Sequence, residues 1–274
     1  MHTKRNIAVI GLGLIGASMA KAFKKYTDNF VTGYDINPEV ITRAKAEGVI
    51  DAEADISSAD VIISALYPKA TVEFIKTNDA KIKKGALCID CGGTKELVCS
   101  ECVPIAEKNG FEFVGTHPMA GTEHSGYEYA KADMFVGASL IICSDNRRED
   151  IEDIFSPAGF EMFKYTTAKE HDRVIAFTSQ LAHVVSNAFV KSGAYPAHHG
   201  FSAGSLRDLT RVAWLNEGMW TELFFENAEN LIGEIDLLCT NLKKYSDALK
   251  DGNAEALREL LSEGRRIKEE VDGR

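Results

Sequence analysis

Positive charge is scarce in this 274-residue sequence: 31 Lys and Arg stand against 41 Asp and Glu, for a net charge of −10. No basic stripe runs along any segment. That excludes the non-specific electrostatic grip that a nucleic-acid backbone demands. Any anionic ligand must be held by a few placed Arg, Lys or His groups, or by helix N-termini. Long apolar runs are missing too. After "MHTKR" only a few apolar residues precede Gly11, too few for a signal-peptide core, and no other run approaches the roughly 20 residues of a membrane span. These absences predict a cytoplasmic protein. The six cysteines, in that setting, read as thiols rather than a disulfide framework. What remains is the composition of a globular chain with a proper core, 45% apolar and 26% charged, long enough for one large domain or two ordinary ones.

Strand and helix patterns alternate along the first part. "RNIAVI" is a short apolar run that suits a buried parallel strand, and "GLGLIGASMAKAFKKY" follows it with apolar residues at helical spacing. "FVTGYD", "DVIISAL", "GALCID" and "FEFVGTHP" repeat the strand signal. Helices lie between them, one opening on Asn37-Pro38 and one closing on Gly110. "ASLIIC" and "EMFKYT" predict two further strands around a helix near 148–157. The reading is an α/β fold, a Rossmann-type doubly wound and mostly parallel sheet. From Ala168 to Ser192 the apolar positions fit one long amphipathic helix, and beyond "GAYPAHHG" the chain reads helical to near its end. The expected division is residues 1–165 as the Rossmann-type domain and 166–274 as an all-helical domain.

Gly11, Gly13 and Gly16 form G-x-G-x-x-G between a strand and a helix. The first glycine allows the tight turn, the second the approach of a pyrophosphate, and the third close packing of helix on strand. With Leu12, Leu14 and Ile15 they place a helix N-terminus against phosphates. Asp35 lies 19 residues beyond Gly16, where an acid bonds ribose hydroxyls and repels a 2′-phosphate. The expected cofactor is NAD rather than NADP. The alternative is a glycine-rich turn that binds no nucleotide.

"CIDCGGTKELVCSEC", residues 88–102, holds two C-x-x-C pairs. Zinc ribbons separate such pairs by roughly 15–20 residues; here seven intervene, and the thiols are divided between a strand and a helix already under way. A redox pair belongs at a helix N-terminus, whereas Cys88 and Cys91 precede the helix. Buried thiols acting as small hydrophobes fit better, and no metal is expected. "DCGGTK" matters for another reason: it lies past the C-terminal end of a strand, the edge at which open α/β sheets bind ligands.

"GTHPMAGTEHSG", residues 115–126, ends the fifth long strand at the same edge. His117 there is placed as a base for an alcohol undergoing oxidation, although a lone histidine is more often structural. At this point the sequence resembles the prephenate dehydrogenase family. The resemblance rests on "GLGLIGAS", "GYDINPE", "DCGGTK", "HPMAGTEHSG", "EHDRVIAFTSQLAH" and "SLRDLTRVA", in that order over most of the chain.

That resemblance implies NAD-dependent oxidative decarboxylation of prephenate to 4-hydroxyphenylpyruvate, a step of tyrosine biosynthesis, with His117 taking the ring hydroxyl proton. It assigns Arg211 to a substrate carboxylate, with Arg207 as the fallback, and Ser179 and His183 to substrate contact. The plainer alternatives are a solvated arginine pair beside Asp208 and a core histidine at 183. Many family members carry Ser where this chain has Gly93. Thr94 or a water then supplies the hydroxyl that helps position the histidine. Glu123 orders the pocket mouth, pairs with a positive group, or is an exposed loop acid. His198 and His199 read as surface residues. A homodimer through the helical part is implied, and with no regulatory or chorismate mutase segment visible, a single activity; feedback by tyrosine remains open. Rival readings are arogenate dehydrogenase, a β-hydroxyacid dehydrogenase or imine reductase on the same fold, and a non-catalytic NAD-responsive protein.

Overall fold

The computed structural model describes residues 4–122 and 124–273. Eight strands form one sheet in the order β3-β2-β1-β4-β5-β6-β7-β8. They are β1 (Asn6–Ile10), β2 (Phe30–Tyr34), β3 (Ala52–Glu53), β4 (Val61–Ser64), β5 (Leu87–Asp90), β6 (Glu112–Pro118), β7 (Ser139–Cys143) and β8 (Met162–Thr166). All pairings are parallel except β6 with β7. The order reverses between β1 and β4, where an open α/β sheet has its crevice. Seven strands agree with the hydrophobic runs. The eighth, β3, has only two residues and leaves no periodic signal.

The central strands are buried on both faces because helices cover each side: every residue of β4 and β5 is buried. Helices α1 (Leu14–Tyr26), α2 (Pro38–Ala46), α3 (Pro68–Asn78), α4 (Glu96–Asn109) and α5 (Glu149–Phe155) follow their strands. Local chemistry sets their ends. The Asn37 side chain accepts from the Glu39 amide at 3.0 Å ahead of Pro38, the cap that an Asn-Pro start predicts. α4 stops at Gly110 in the left-handed region, φ 80°.

The long helix expected over 168–192 is interrupted. It runs as α6 (Ala168–Ile175), one π-helical turn (Ala176–Leu181) and α7 (Ala182–Phe189). An inserted residue of this kind rotates everything after it and is typical of functional segments. The turn buries Gln180, whose Nε2 donates to the Leu223 carbonyl at 3.1 Å and whose Oε1 accepts from Asn227 Nδ2 at 2.8 Å. α8 (Gly204–Thr210) and α9 (Glu217–Glu226) complete this part.

By packing, one compact unit runs through to Asn227 and a second starts at Ala228. The second consists of α10 (Ala228–Lys250) and α11 (Ala254–Asp272). Tyr245 of α10 donates to the Leu260 carbonyl of α11. No residue of α11 is buried.

Candidate active site

The glycine turn has the shape that a dinucleotide needs. Gly11 holds φ +89°, and a Cβ on Gly16 would stand 1.9 Å from the Gly11 carbonyl oxygen, so neither position accepts a side chain. A Cβ on Gly13, by contrast, meets no atom within 4 Å: the backbone there borders open space. Leu14 and Ile15 begin α1, whose first turn has no side-chain cap and no acid, leaving amides free for an anion. Leu12 is buried, and its amide donates to Asp35 Oδ2 at 2.8 Å. The Asn37 amide reaches Asp35 Oδ1 at 2.9 Å. Asp35 therefore steadies the turn as well as facing the site, and each oxygen retains acceptor capacity for a ribose hydroxyl.

Two buried acids organise the neighbouring edge. Asp90, the last residue of β5, accepts the Thr116 amide at Oδ1 (3.0 Å) and, at Oδ2, the Gly92 amide (2.9 Å) and the Lys95 ammonium. Neither side chain of the Asp90–Lys95 pair is exposed. An ion pair so enclosed survives only when its other lone pairs and protons are engaged, and these bonds pin the DCGGTK loop to β6. Asp172 of α6 does the same for α4. Its Oδ1 accepts the Lys95 amide at 2.8 Å and its Oδ2 the Glu96 amide at 2.9 Å. α4 has no cap from its own loop; this carboxylate supplies it. Asn227 Nδ2 in turn donates to the Asp172 carbonyl at 2.8 Å.

His117 lies in this frame on β6, half-buried. Its Nδ1 is 2.9 Å from Nε2 of His171, and His171 Nδ1 is 2.7 Å from Asp172 Oδ1. Burial pushes the His117 imidazole well below the usual histidine range, and His171 and the Lys95 ammonium push it further down. His171 is also lowered, chiefly by burial. Both rings are accordingly neutral near neutral pH, the form in which a histidine accepts a proton.

Thr94 is fully buried, and its hydroxyl donates to Glu226 Oε2 at 2.5 Å. His117 is hydrogen-bonded to His171, and Thr94 to Glu226. His183 lies on the other helical segment. Its Nδ1 is 2.9 Å from the Ser179 carbonyl oxygen and its ring centroid 3.8 Å from that of Trp220. Burial lowers His183, and the nearby Arg211 guanidinium lowers it further. Arg211 itself is exposed. Ser179, His183, Trp220 and Arg211 thus form one group, with Ser179 contributing its backbone oxygen. Arg207 is exposed and 4.0 Å from Asp208. Glu123 lies outside the described residues. His171, Asp172, Lys95 and Trp220 were not singled out by residue type or spacing: a His-Asp pair in "EHDR" and a lysine in "GGTK" look like solvated surface residues.

The four cysteines of residues 88–102 serve packing. All six are free thiols. A Cβ on Gly115 would fall 2.6 Å from Cys99 Sγ, so α4 lies hard against β6 through that sulfur. Burial pushes Cys102 up to about 12 and Cys88 and Cys91 higher still, far from the thiolate that metals and redox chemistry use. Among the described residues no group of three or more His, Cys, Asp or Glu could hold a metal ion.

Residues 19–157 match the family described as prephenate dehydrogenase, nucleotide-binding domain, and residues 167–263 match prephenate dehydrogenase, dimerization domain. A prephenate dehydrogenase of Lactococcus lactis subsp. cremoris is 31% identical over 98% of this chain and 78% of that protein. A cyclohexadienyl dehydrogenase of Zymomonas mobilis is 30% identical over 98% of this chain and 96% of that protein. Among solved structures, prephenate dehydrogenase from A. aeolicus in complex with hydroxyphenyl propionate and NAD+ superposes with a TM-score of 0.84. It is 27% identical over 98% of this chain and 99% of that one.

Proposed function

The chain belongs to the prephenate dehydrogenase family, and from that premise we propose that it oxidises and decarboxylates prephenate to 4-hydroxyphenylpyruvate with His117 as the base. The observation that carries this reading is a neutral imidazole at the same C-terminal sheet edge as the glycine turn, with Nδ1 engaged by His171 and Nε2 left for a substrate proton. The open backbone at Gly13, the uncapped first turn of α1 and the acid at Asp35 fit NAD. Ile36, 91% exposed beside that acid, offers an apolar shelf for a flat base. NAD+, when bound, takes the hydride from the ring carbon that carries the hydroxyl.

His117 accepts the hydroxyl proton as that carbon is oxidised. The ring carboxylate then departs as CO2, and the electrons of the breaking C–C bond pass through the ring to its oxygen, which takes the proton back from His117. No proton is consumed or released overall, so the base needs no exchange with solvent within a turnover. Aromatisation drives the step. The protein's own task is orientation, worth several kcal/mol of barrier. Arg211, in reach of His183, grips a substrate carboxylate through a bidentate contact, and the His183–Trp220 stack forms a wall for the ring.

The family name of residues 167–263 supports a homodimer through the helical part. So do large side chains left in solvent, among them Phe201 at 93% and Trp214 at 77% exposed. Among the described residues no helix is long and apolar enough to cross a membrane, which suits an enzyme of the cytoplasm. The Zymomonas relative carries the broader name cyclohexadienyl dehydrogenase, so the test measures NADH formation with prephenate and with arogenate. Turnover of prephenate is expected, with Arg211→Ala raising KM at least tenfold. Absence of NADH with either substrate overturns the proposal.

A further inference from the structure

We propose that Asp172, acting through His171, is a positioning residue that fixes which nitrogen of His117 is the base; this deepens the His117 reading and rests on it. Two protons beside Asp172 have fixed locations. The Lys95 and Glu96 backbone amides each carry one hydrogen, and they point at Oδ1 and Oδ2 of Asp172. A carboxylate held in this way only accepts. The third contact of that group, from His171 Nδ1 at 2.7 Å, must therefore be a donated N–H. A neutral imidazole has one N–H, so His171 Nε2 carries a lone pair. That lone pair faces His117 Nδ1 at 2.9 Å. Two lone pairs at this separation repel, so His117 Nδ1 must hold its ring proton and donate it. One position is then left for the His117 lone pair, Nε2, on the side away from His171.

The alternative pattern is self-consistent only if Asp172 donates. Without the acid the two rings can reverse together: His171 then presents Nε2–H, and His117 carries its proton on Nε2, where it blocks the reaction. Asp172 makes one of two tautomeric states of a histidine pair the working one. The other charged groups around the pair are Lys95 and Asp90, themselves joined in an ion pair; neither hydrogen-bonds to either imidazole and so neither dictates a tautomer. The same Asp172 caps α4. The catalytic tautomer and the position of the DCGGTK loop consequently depend on one side chain.

When His117 takes the substrate proton, its Nδ1–H bond to His171 becomes charge-assisted and shortens the excursion to imidazolium. The proton need not travel along the chain, because the product oxygen reclaims it. Asp172 and His171 orient and stabilise without being protonated, as the acid of a hydrolase triad does.

The test is Asp172→Asn: with its amide nitrogen in the place of Oδ1 it turns an N–H toward His171, keeps an oxygen for the Glu96 amide and gives up the Lys95 amide. Expected are a kcat loss of about 10²–10⁴-fold, an NAD affinity by calorimetry within threefold of wild type, and a His117 signal in 15N-histidine NMR with the proton on Nε2. Wild type should show it on Nδ1. Because Asp172 also caps a helix, His171→Gln and His171→Leu give a second measurement. The Gln carbonyl oxygen can accept from His117 Nδ1–H, so Gln should retain at least tenfold more kcat than Leu. An unchanged His117 tautomer in Asp172→Asn, or equal kcat for Gln and Leu, overturns the proposal. His117→Asn separates the two readings. If it is inactive while the tautomer ignores residue 172, only the relay is wrong; if it is fully active, the base assignment itself has failed.

Discussion

Leu223 of α9 occupies the space above Gly93: a Cβ built on the glycine would stand 3.1 Å from Leu223 Cδ1 and 3.3 Å from Cδ2. The loop and the helix are thus fitted to each other without a side chain at 93. Restoring the serine common in related enzymes should therefore not improve this one. Gly93→Ser is expected to destabilise by about 1–2 kcal/mol through crowding and to leave kcat unchanged or lower, measured by urea unfolding and NADH assay. In Gly93→Ser/Leu223→Ala the serine gains room, and the stability losses should sum to less than those of the two single changes. A rise in kcat for Gly93→Ser alone would show that the hydroxyl is missed here.

As the proposed base, the lowered His117 should set the acidic limb of the rate profile. A base loses activity as pH falls through its pKa, so with His117 depressed by burial, His171 and Lys95, kcat/KM should stay level below the ordinary histidine value of about 6.5 and drop only in more acidic solution. Stability has a related dependence. Below about 6.5 the unfolded chain protonates His117 and His171 while the fold resists, so each depressed histidine removes up to about 1.4 kcal/mol per pH unit until its folded pKa is reached. His117→Asn should cut kcat by roughly 10²–10⁴, keep NAD binding, and flatten that acid slope. An unaltered slope would mean that the ring is not held neutral.

How far the site was legible follows from what each residue type signals. Gly11, Gly13, Gly16 and Asp35 announce themselves because a turn against phosphate admits few alternatives, and alternating strand and helix texture places them at one edge. His117 stands out through its place at a strand end. Asp172 and His171 do not, since adjacent ionisable residues on a helix usually face water, and the amides that Asp172 satisfies lie 76 and 77 residues away in sequence. The Asp90–Lys95 pair is hidden similarly: nothing in "DCGGTK" says that both side chains are fully enclosed. Apolar spacing over 168–192 supports a helix but is blind to the extra residue of the π turn. Thr94 was legible as a hydroxyl near the site; that Glu226 claims it requires α9, which is packed only in three dimensions.

Asp35 should govern cofactor choice while supporting the turn. Both its oxygens take backbone amides, so Asp35→Asn keeps one acceptor and removes the charge that repels a 2′-phosphate. NAD affinity is expected to weaken about tenfold, the value of one charge-assisted hydrogen bond, while NADP affinity holds or improves. Fluorescence titration with each dinucleotide measures the ratio. An NAD-to-NADP preference equal to that of wild type would remove Asp35 from the ribose site.

Glu226 offers a stabilising change inside the same region. Burial raises its pKa, and Glu222 one turn earlier adds to the rise. Its Oε1 is buried with no hydrogen-bond partner among the described residues, while Oε2 accepts from Thr94. A carboxyl whose folded pKa lies above its unfolded value is a burden at neutral pH, because ionising it is harder in the fold than in the open chain; the penalty disappears as pH falls through the raised value toward the ordinary 4.3 or so. Glu226→Gln keeps an oxygen for Thr94, directs an amide N–H toward Glu222, and removes the charge. The variant should be more stable than wild type by a few tenths to about 1 kcal/mol at pH 7.5. The gain should shrink toward zero near pH 4.5, as read from urea unfolding at both pH values. A less stable Gln variant at pH 7.5 would mean that the anion has a favourable partner, and that Thr94 is held by charge rather than by shape.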